Sequence, residues 1–263
     1  SSGVNKKIPL IISVKNPSSP ELIASYDLPL PESIATAKLY DGKVYFGDNS
    51  SVILDIEKPS YDPRVIYSSD NSRGYASDIA MSNGVISVAA EQLGAQLFQY
   101  KNGLWQTNNY PTQAYTIASH VTDIDKDSIY LAQHDRRVVE SLSRNSISSD
   151  QLAGQVIFEN IVAEHLAITQ TKIVATTANQ IHLSAKDDFT LQGRVDLPPG
   201  ENIVAMVTHG ETIFVATDNR RLYRVIAGSL PINDFEVSIK ALIDGGNDII
   251  ENLITSGDFL FFQ

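Results

Sequence analysis

Six short segments, each a turn followed by a β-prone run, recur along the chain at nearly constant spacing: "YDGKVYFGD", "SNGVISVAA", "DKDSIYLAQ", "TQTKIVATT", "HGETIFVAT" and "SGDFLFFQ". Taking Val44, Ile86, Ile129, Ile173, Ile213 and Phe259 as equivalent, the steps are 42, 43, 44, 40 and 46 residues. A period of that length marks a repeat architecture, in which each unit is one supersecondary element that buries its faces on its neighbours. Three residues beyond the equivalent position stands a small residue in most copies: Gly47, Ala89, Ala132, Thr176 and Ala216. Small side chains are expected where inner strands crowd together.

Each signature is followed by a second strand pattern, such as "SVILDIEKP" or "NQIHLSAKD", and by a third, such as "PRVIYSS", "TLQGRVD" or "DFEVSIK". A fourth stretch, such as "YASDIAM" or "VAEHLAI", precedes it. Turns rich in Gly, Asn, Asp, Ser and Pro separate the four, and helical periodicity is nearly absent. Four strands per repeat of this length describe a β-propeller blade. The expected fold is therefore all-β, a single-domain six-bladed β-propeller with four antiparallel strands per blade. Five blades are expected over 34–70, 75–110, 117–160, 163–197 and 202–243. The sixth combines 249–263 with 8–29, so that terminal strand pairs complete one another and no sheet edge is left as a template for aggregation.

The opening stretch "LIISVKNPSSPELIASYDLP" resembles the LVIVD-repeat family of bacterial and archaeal β-propellers, in which a strand ends in a Pro-containing turn followed by "P-x-L-V-G-S-Y". "VILDIEKPSYDPRVIYSS" is a looser second copy, and "AKLYDGKVYFGD" is similar to the strand that precedes the turn in that family. The specific likeness spans about two blades; the others keep the spacing and lose the Pro turn. The resemblance implies a propeller of six or seven blades, often exported or surface-attached, and it carries no catalytic motif. Sialidase boxes and recurrent Trp-Asp dipeptides are missing. The single tryptophan, Trp105, falls in an outer strand, where packing between blades is expected.

Charge narrows the partners. Lys and Arg number 20 against 31 Asp and Glu, a net charge of −11. Nucleic acid and anionic membrane surfaces repel such a chain, and no basic patch offsets the total. Apolar runs reach only about six residues, far short of a membrane-spanning helix. There is no cysteine, which removes disulfides, thiolate zinc sites and thiol nucleophiles. The polar start "SSGVNKK" reads either as a linker or as a tether following a lipid-modified cysteine upstream of Ser1. An exported, periplasmic or cell-surface location is expected, the cytoplasm also being compatible.

Motifs with chemistry are few. "DIDKDS" places Asp123, Asp125 and Asp127 at alternate positions like a calcium loop, but Ser128 and His134 stand where an EF-hand needs Gly and Glu. A tight turn between strands is the better reading. The five histidines (His120, His134, His165, His182 and His209) form no zinc motif, and no nucleophile elbow is present.

Two constellations remain. Aligning the innermost strands puts Thr36, Asp78, Asp123, His165, Ala205 and Asn252 at equivalent places, with Glu164 and Glu251 adjacent. Asp78, Asp123 and His165 would then face one axial channel, where they could ligate a divalent cation or act as an acid/base pair. A water-filled channel with hydrogen-bonding polar walls is the plainer reading. The second constellation is the set of loops entering the inner strands, which carry Arg73, Tyr75, Tyr110, Tyr115, His120, Glu201, Asn202, Asn247 and Asp248. Tyr and Arg on one face suit an interaction surface, while ordinary turn chemistry accounts for the rest.

The sequence thus points to a non-catalytic module that engages a protein or glycan through this loop-rich face. Alternatives are a metal-dependent, lactonase-like hydrolase and a structural subunit of a surface assembly. No cofactor is expected beyond such a cation.

Overall fold

A computed structural model of the chain describes residues 10–13, 21–25, 36–40, 43–47, 50–55, 64–68, 76–90, 94–101, 104–109, 119–147, 153–226, 238–244, 253–256 and 259–262. The chain divides into two compact units, Ser1–Thr122 and Asp123–Gln263. Every regular element among the described residues is a strand, apart from one 3-10 turn at Arg144–Ser146.

The first unit opens with a hairpin of β1 (Leu10–Ser13) and β2 (Glu21–Ser25). A four-stranded sheet follows, β3 (Thr36–Tyr40), β4 (Lys43–Gly47), β5 (Ser50–Asp55) and β6 (Arg64–Ser68). Next come β7 (Asp78–Ser82), β8 (Val85–Ala89), β9 (Ala95–Lys101) and β10 (Leu104–Asn109), in the same meander order. Trp105 lies in β10, the outermost strand as expected; its side chain lies outside the described residues.

The second unit repeats the plan. Its sheets are β11 (Ser119–Ile124), β12 (Ser128–Gln133), β13 (Val138–Ser143) and β14 (Gly154–Glu159); then β15 (His165–Ile168), β16 (Lys172–Thr176), β17 (Gln180–Ala185) and β18 (Leu191–Asp196); then β19 (Ile203–His209), β20 (Thr212–Thr217), β21 (Arg221–Ile226) and β22 (Ser238–Asp244). A last hairpin joins β23 (Leu253–Ser256) to β24 (Phe259–Phe262). The division between units falls inside β11.

The short tight turns follow from their sequences. Ser82 pairs with Val85 across Asn83 and Gly84, whose φ angles are 44° and 75°. Both central residues of a type I′ hairpin turn need positive φ, and Asn-Gly is a strongly preferred pair there. Gly84 also accepts a backbone hydrogen bond from Tyr100 at 2.8 Å, tying the turn to β9.

Second strands are buried on both faces: β8 and β16 have no exposed position. Alternate residues of β20 serve two different clusters. Ile213 and Val215 pack with Val174, Leu183, Val195 and Tyr223, whereas Phe214 and Ala216 pack with Ala205, Leu222 and Leu253. A sheet stacked between two others has no solvent face, so its middle strands read as continuous apolar runs without polar alternation. The small residues singled out from the repeat bear this out: Ala89, Ala132, Thr176 and Ala216 are fully buried.

Two sequence expectations shift. The outer strand of the third sheet of the second unit is Ser238–Asp244, further along than "DFEVSIK", because Arg221 pairs with Asp244 and Ile226 with Ser238. In the final hairpin Ser256 pairs with Phe259, the place that Lys43 and Val85 hold opposite Tyr40 and Ser82. Leu260, not Phe259, is therefore the equivalent of Val44.

Candidate functional site

Four of the inner-strand residues share one register. Thr36 pairs with Gly47, Asp78 with Ala89, His165 with Thr176 and Ala205 with Ala216, each opposite the small residue of the repeat. Asp123 does not share it. The Asp125 amide donates to the Ser128 carbonyl at 3.0 Å and closes its hairpin there, so Val121 takes the place that Asp78 holds four residues before Ser82. Asp123 stands two residues nearer the turn, on the same face but roughly 7 Å along the strand. The hairpin closes one residue before Ile129, as the others close one residue before Val44, Ile86 and Ile173, so counting back eight residues from that repeat position reaches Val121 and not Asp123.

Asp78 is engaged in its own unit. Its Oδ1 accepts from the Ile79 amide at 2.9 Å and pairs with the Lys38 ammonium at 2.9 Å. Its Oδ2 accepts from the Thr122 amide at 3.1 Å, and below it the hydroxyls of Ser87 and Thr122 share a 2.7 Å hydrogen bond. The carboxylate thus links three successive inner strands. Asp123 accepts from the Ile124 amide at 2.8 Å. Glu164, half-buried, donates its amide to Thr176. No group of three or more potential metal ligands occurs among the described residues.

Of the loop residues, Asn202 is described and exposed. Its amide and side chain donate to the two Asp218 oxygens at 2.8 and 2.7 Å, and these bonds hold the Asp218 carboxyl below its ordinary value. Glu201 beside it is only 3% exposed. It accepts from Tyr223 at 2.9 Å, Thr217 at 3.1 Å and Arg221 at 2.8 Å. Arg73, Tyr75, Tyr110, Tyr115, Asn247, Asp248, Glu251 and Asn252, and the side chain of His120, lie outside the described residues.

A polar cleft of about 650 Å³ opens at the other end of the strands, where the first and third hairpins of the middle sheets turn. Asp125, Lys126, Asp127, Ser128 and Tyr130 line one side, and Gln170, Thr171, Lys186, Asp187 and Gln192 the other. Asp125 organises it. Its Oδ1 accepts from the amides of Asp127 and Ser128 at 2.7 and 2.8 Å, the turn expected from the sequence. Its Oδ2 accepts from Tyr130 at 3.2 Å and pairs with Lys186 at 2.8 Å. Glu211 clamps the neighbouring hairpin by accepting from Thr169 and Thr171.

Burial raises the Asp125 carboxyl, but the Lys186 ammonium and the two turn amides together bring it below the ordinary 3.8. Burial, with the adjacent Asp125 charge, raises the Tyr130 phenol, which stays protonated. A carboxyl lowered on folding contributes stability that is fully present above its unfolded value and is lost as pH falls through the folded one. The melting temperature of Asp125→Asn is accordingly expected to lie furthest below wild type at neutral pH. The gap should narrow below pH 3.8, as thermal melts across an acid series would show.

A second, mostly apolar groove of about 500 Å³ lies between the outer parts of two sheets. Ile157, Phe158, Glu159 and Ile161 face His182, Leu191, Gly193 and Arg194 across it. The rings of Phe158 and His182 meet edge to face at 6.1 Å. Burial lowers the His182 pKa, the Arg194 charge adds to this, and Asp196 opposes it. Its Nε2 is buried without a hydrogen-bond partner among the described residues. Neither cleft was apparent from the sequence, since each depends on which hairpins and bulges adjoin across sheets.

No family model matches the chain, and no curated protein does. Solved structures do. A chain of the Mitotic Checkpoint Complex matches over 95% of this chain and 76% of its own, at 12% identity and a TM-score of 0.67. The β-propeller domain of Cps50 (Swd1) from Myceliophteria thermophila matches over 89% of this chain and 80% of its own, at 9% identity and a TM-score of 0.63. PorZ, a bacterial surface component of the type-IX secretion system of Porphyromonas gingivalis, matches over 82% of this chain and 27% of its own, at 13% identity and a TM-score of 0.55. At such identities the likeness speaks for the fold alone, and that fold, consecutive antiparallel four-stranded sheets, is of the β-propeller kind.

Proposed function

We propose that this chain is a non-catalytic binding module, a six-bladed propeller that presents a rigid surface to a protein or glycan partner. The observation that carries the reading is the state of Asp78. The residue best placed to serve as an axial acid or metal ligand has both oxygens committed to Lys38 and to two backbone amides. Such a carboxylate is a fastening between strands, and the hydrolase reading built on Asp78, Asp123 and His165 loses its anchor. Propellers host many unrelated activities, so the fold itself argues for a platform and not a reaction.

Five four-stranded sheets flanked by the two-stranded β1–β2 and β23–β24 support six blades, the sixth being shared by the two hairpins. Kinship with LVIVD-repeat propellers and an exported or surface location are part of the same proposal. The likeness to PorZ, itself a surface component of a secretion system, favours a second reading as a structural subunit of a surface assembly.

The test is a preparation made without chelator or histidine tag. Metal content and the melting temperature with and without EDTA are measured, followed by affinity capture from envelope and cytosolic fractions. No stoichiometric metal, an unmoved melting temperature and a partner that survives competition are the expected results. A bound ion whose removal lowers the melting temperature, and which Asp78→Asn abolishes, would overturn the reading in favour of the metalloenzyme.

A further inference from the structure

Each four-stranded sheet, like the β1–β2 hairpin, ends on a last strand, and an edge of unpaired amides and carbonyls is a template for another strand. Most of these last strands carry a bulge in the ladder that ties them to the strand before. The extra residue is Ile23 in β2, Ile66 in β6, Ile157 in β14, Gln192 in β18 and Leu242 in β22. The same strands hold charged residues, among them Glu21, Arg64, Glu159, Arg194 and Lys240. Bulges and charges both discourage edge-to-edge pairing. β10 has neither. Leu104 to Asn109 pair with Lys101 to Gln96 without a break, and "LWQTNN" contains no charged residue and no proline.

The Tyr100 amide donates to the Gly84 carbonyl and the Ala90 amide to the Gly94 carbonyl, each at 2.8 Å. Backbone groups of an unbulged antiparallel strand alternate in direction. Those of Leu97, Gln99 and Lys101 therefore turn to β10, where their partners are Asn108, Gln106 and Leu104. The amides and carbonyls of Trp105, Thr107 and Asn109 then face the open edge, where no other described strand pairs. We infer that a second copy of this chain pairs there, β10 against β10, antiparallel about a two-fold axis at Thr107. That register sets Trp105 opposite Asn109 of the second copy and uses every outward amide and carbonyl. A two-fold contact needs a strand that complements itself, a symmetry that a strand from an unrelated partner does not require. Here Thr107 meets Thr107, a favourable cross-strand pair, Gln106 meets Asn108, and no like charges are apposed. Each copy carries a net charge of −11, so the neutral strand is where two copies approach at least electrostatic cost. Neither this contact nor the loop face proposed for partner binding depends on the other.

Sedimentation velocity of the full chain over a concentration series is expected to show a monomer–dimer equilibrium that tightens as salt screens the repulsion between copies. The one tryptophan of the chain, Trp105, lies in the paired strand, so its emission should shift along the same series. Thr107→Pro removes only an outward amide, which an edge strand tolerates. It should raise the dissociation constant about tenfold through the lost hydrogen bonds and leave the melting temperature unchanged. Thr107→Lys and Thr107→Glu each set like charges face to face across the axis and should be monomeric alone, whereas an equimolar mixture of the two should dimerise. A merely structural effect of the substitutions would give no such rescue. A wild type still monomeric at millimolar concentration would overturn the inference and leave the edge to a strand of another protein. So would a dimer that all three variants preserve, or a Lys–Glu mixture that stays monomeric while each variant melts like wild type.

Discussion

Glu201→Ala is expected to destabilise the fold by about 3–5 kcal/mol, the range for breaking a buried charge cluster by removing one partner. Glu201 is almost wholly enclosed and receives three side chains: the Tyr223 phenol, the Thr217 hydroxyl and the Arg221 guanidinium. Tyr223 and Thr217 are themselves buried, so alanine removes the acceptor of two buried hydroxyls and the carboxylate that pairs with the Arg221 guanidinium. Arg221 is partly exposed and can turn to water, which keeps the cost from rising further. Glu201→Gln retains an acceptor for one donor and should recover part of the loss. Urea unfolding of the three proteins checks this; a Glu201→Ala midpoint equal to wild type would mean that the cluster adds nothing.

Leu183→Ala should cost a comparable amount, about 2–5 kcal/mol, for a different reason. Leu183 has no solvent exposure and sits in the cluster that joins two adjacent sheets through Val174, Val195, Ile213, Val215 and Tyr223. Truncation removes transfer free energy and leaves a cavity that two hydrogen-bonded sheets are poorly able to collapse. Leu183→Met, nearly equal in volume, should cost less than about 1.5 kcal/mol. Equilibrium unfolding monitored by circular dichroism separates the two variants.

The repeat itself was readable from sequence because blade strands leave two signals: turn chemistry at fixed offsets and a small residue three positions on. Val44, Ile86, Ile129, Ile173 and Ile213 all proved to be second residues of second strands. The site was much less readable. Asp123 misled because it was set level with Asp78 and His165 although it lies six residues before its repeat position, Ile129, where they lie eight before Ile86 and Ile173. His182 and Leu191 gave no signal at all. Their nearness depends on an extra residue in β18, and a bulge has no composition of its own. Glu201, read from its loop as a surface group, is buried because Tyr223 and Arg221, twenty positions on, fold back over it.

The two-sided burial of β20 has a consequence for how such a chain can change over evolutionary time. Ile213 and Phe214 are neighbours in sequence yet answer to different company, one to Val174 and Leu183, the other to Leu253 and Leu222. A substitution at the first is compensated on one side of the sheet, and a substitution at the second on the opposite side. Adjacent codons of one strand can therefore drift under separate constraints, so that two histories are interleaved in a single six-residue word. Repeats built this way lose mutual resemblance quickly while their spacing survives, which is the condition in which the blades of this chain are found.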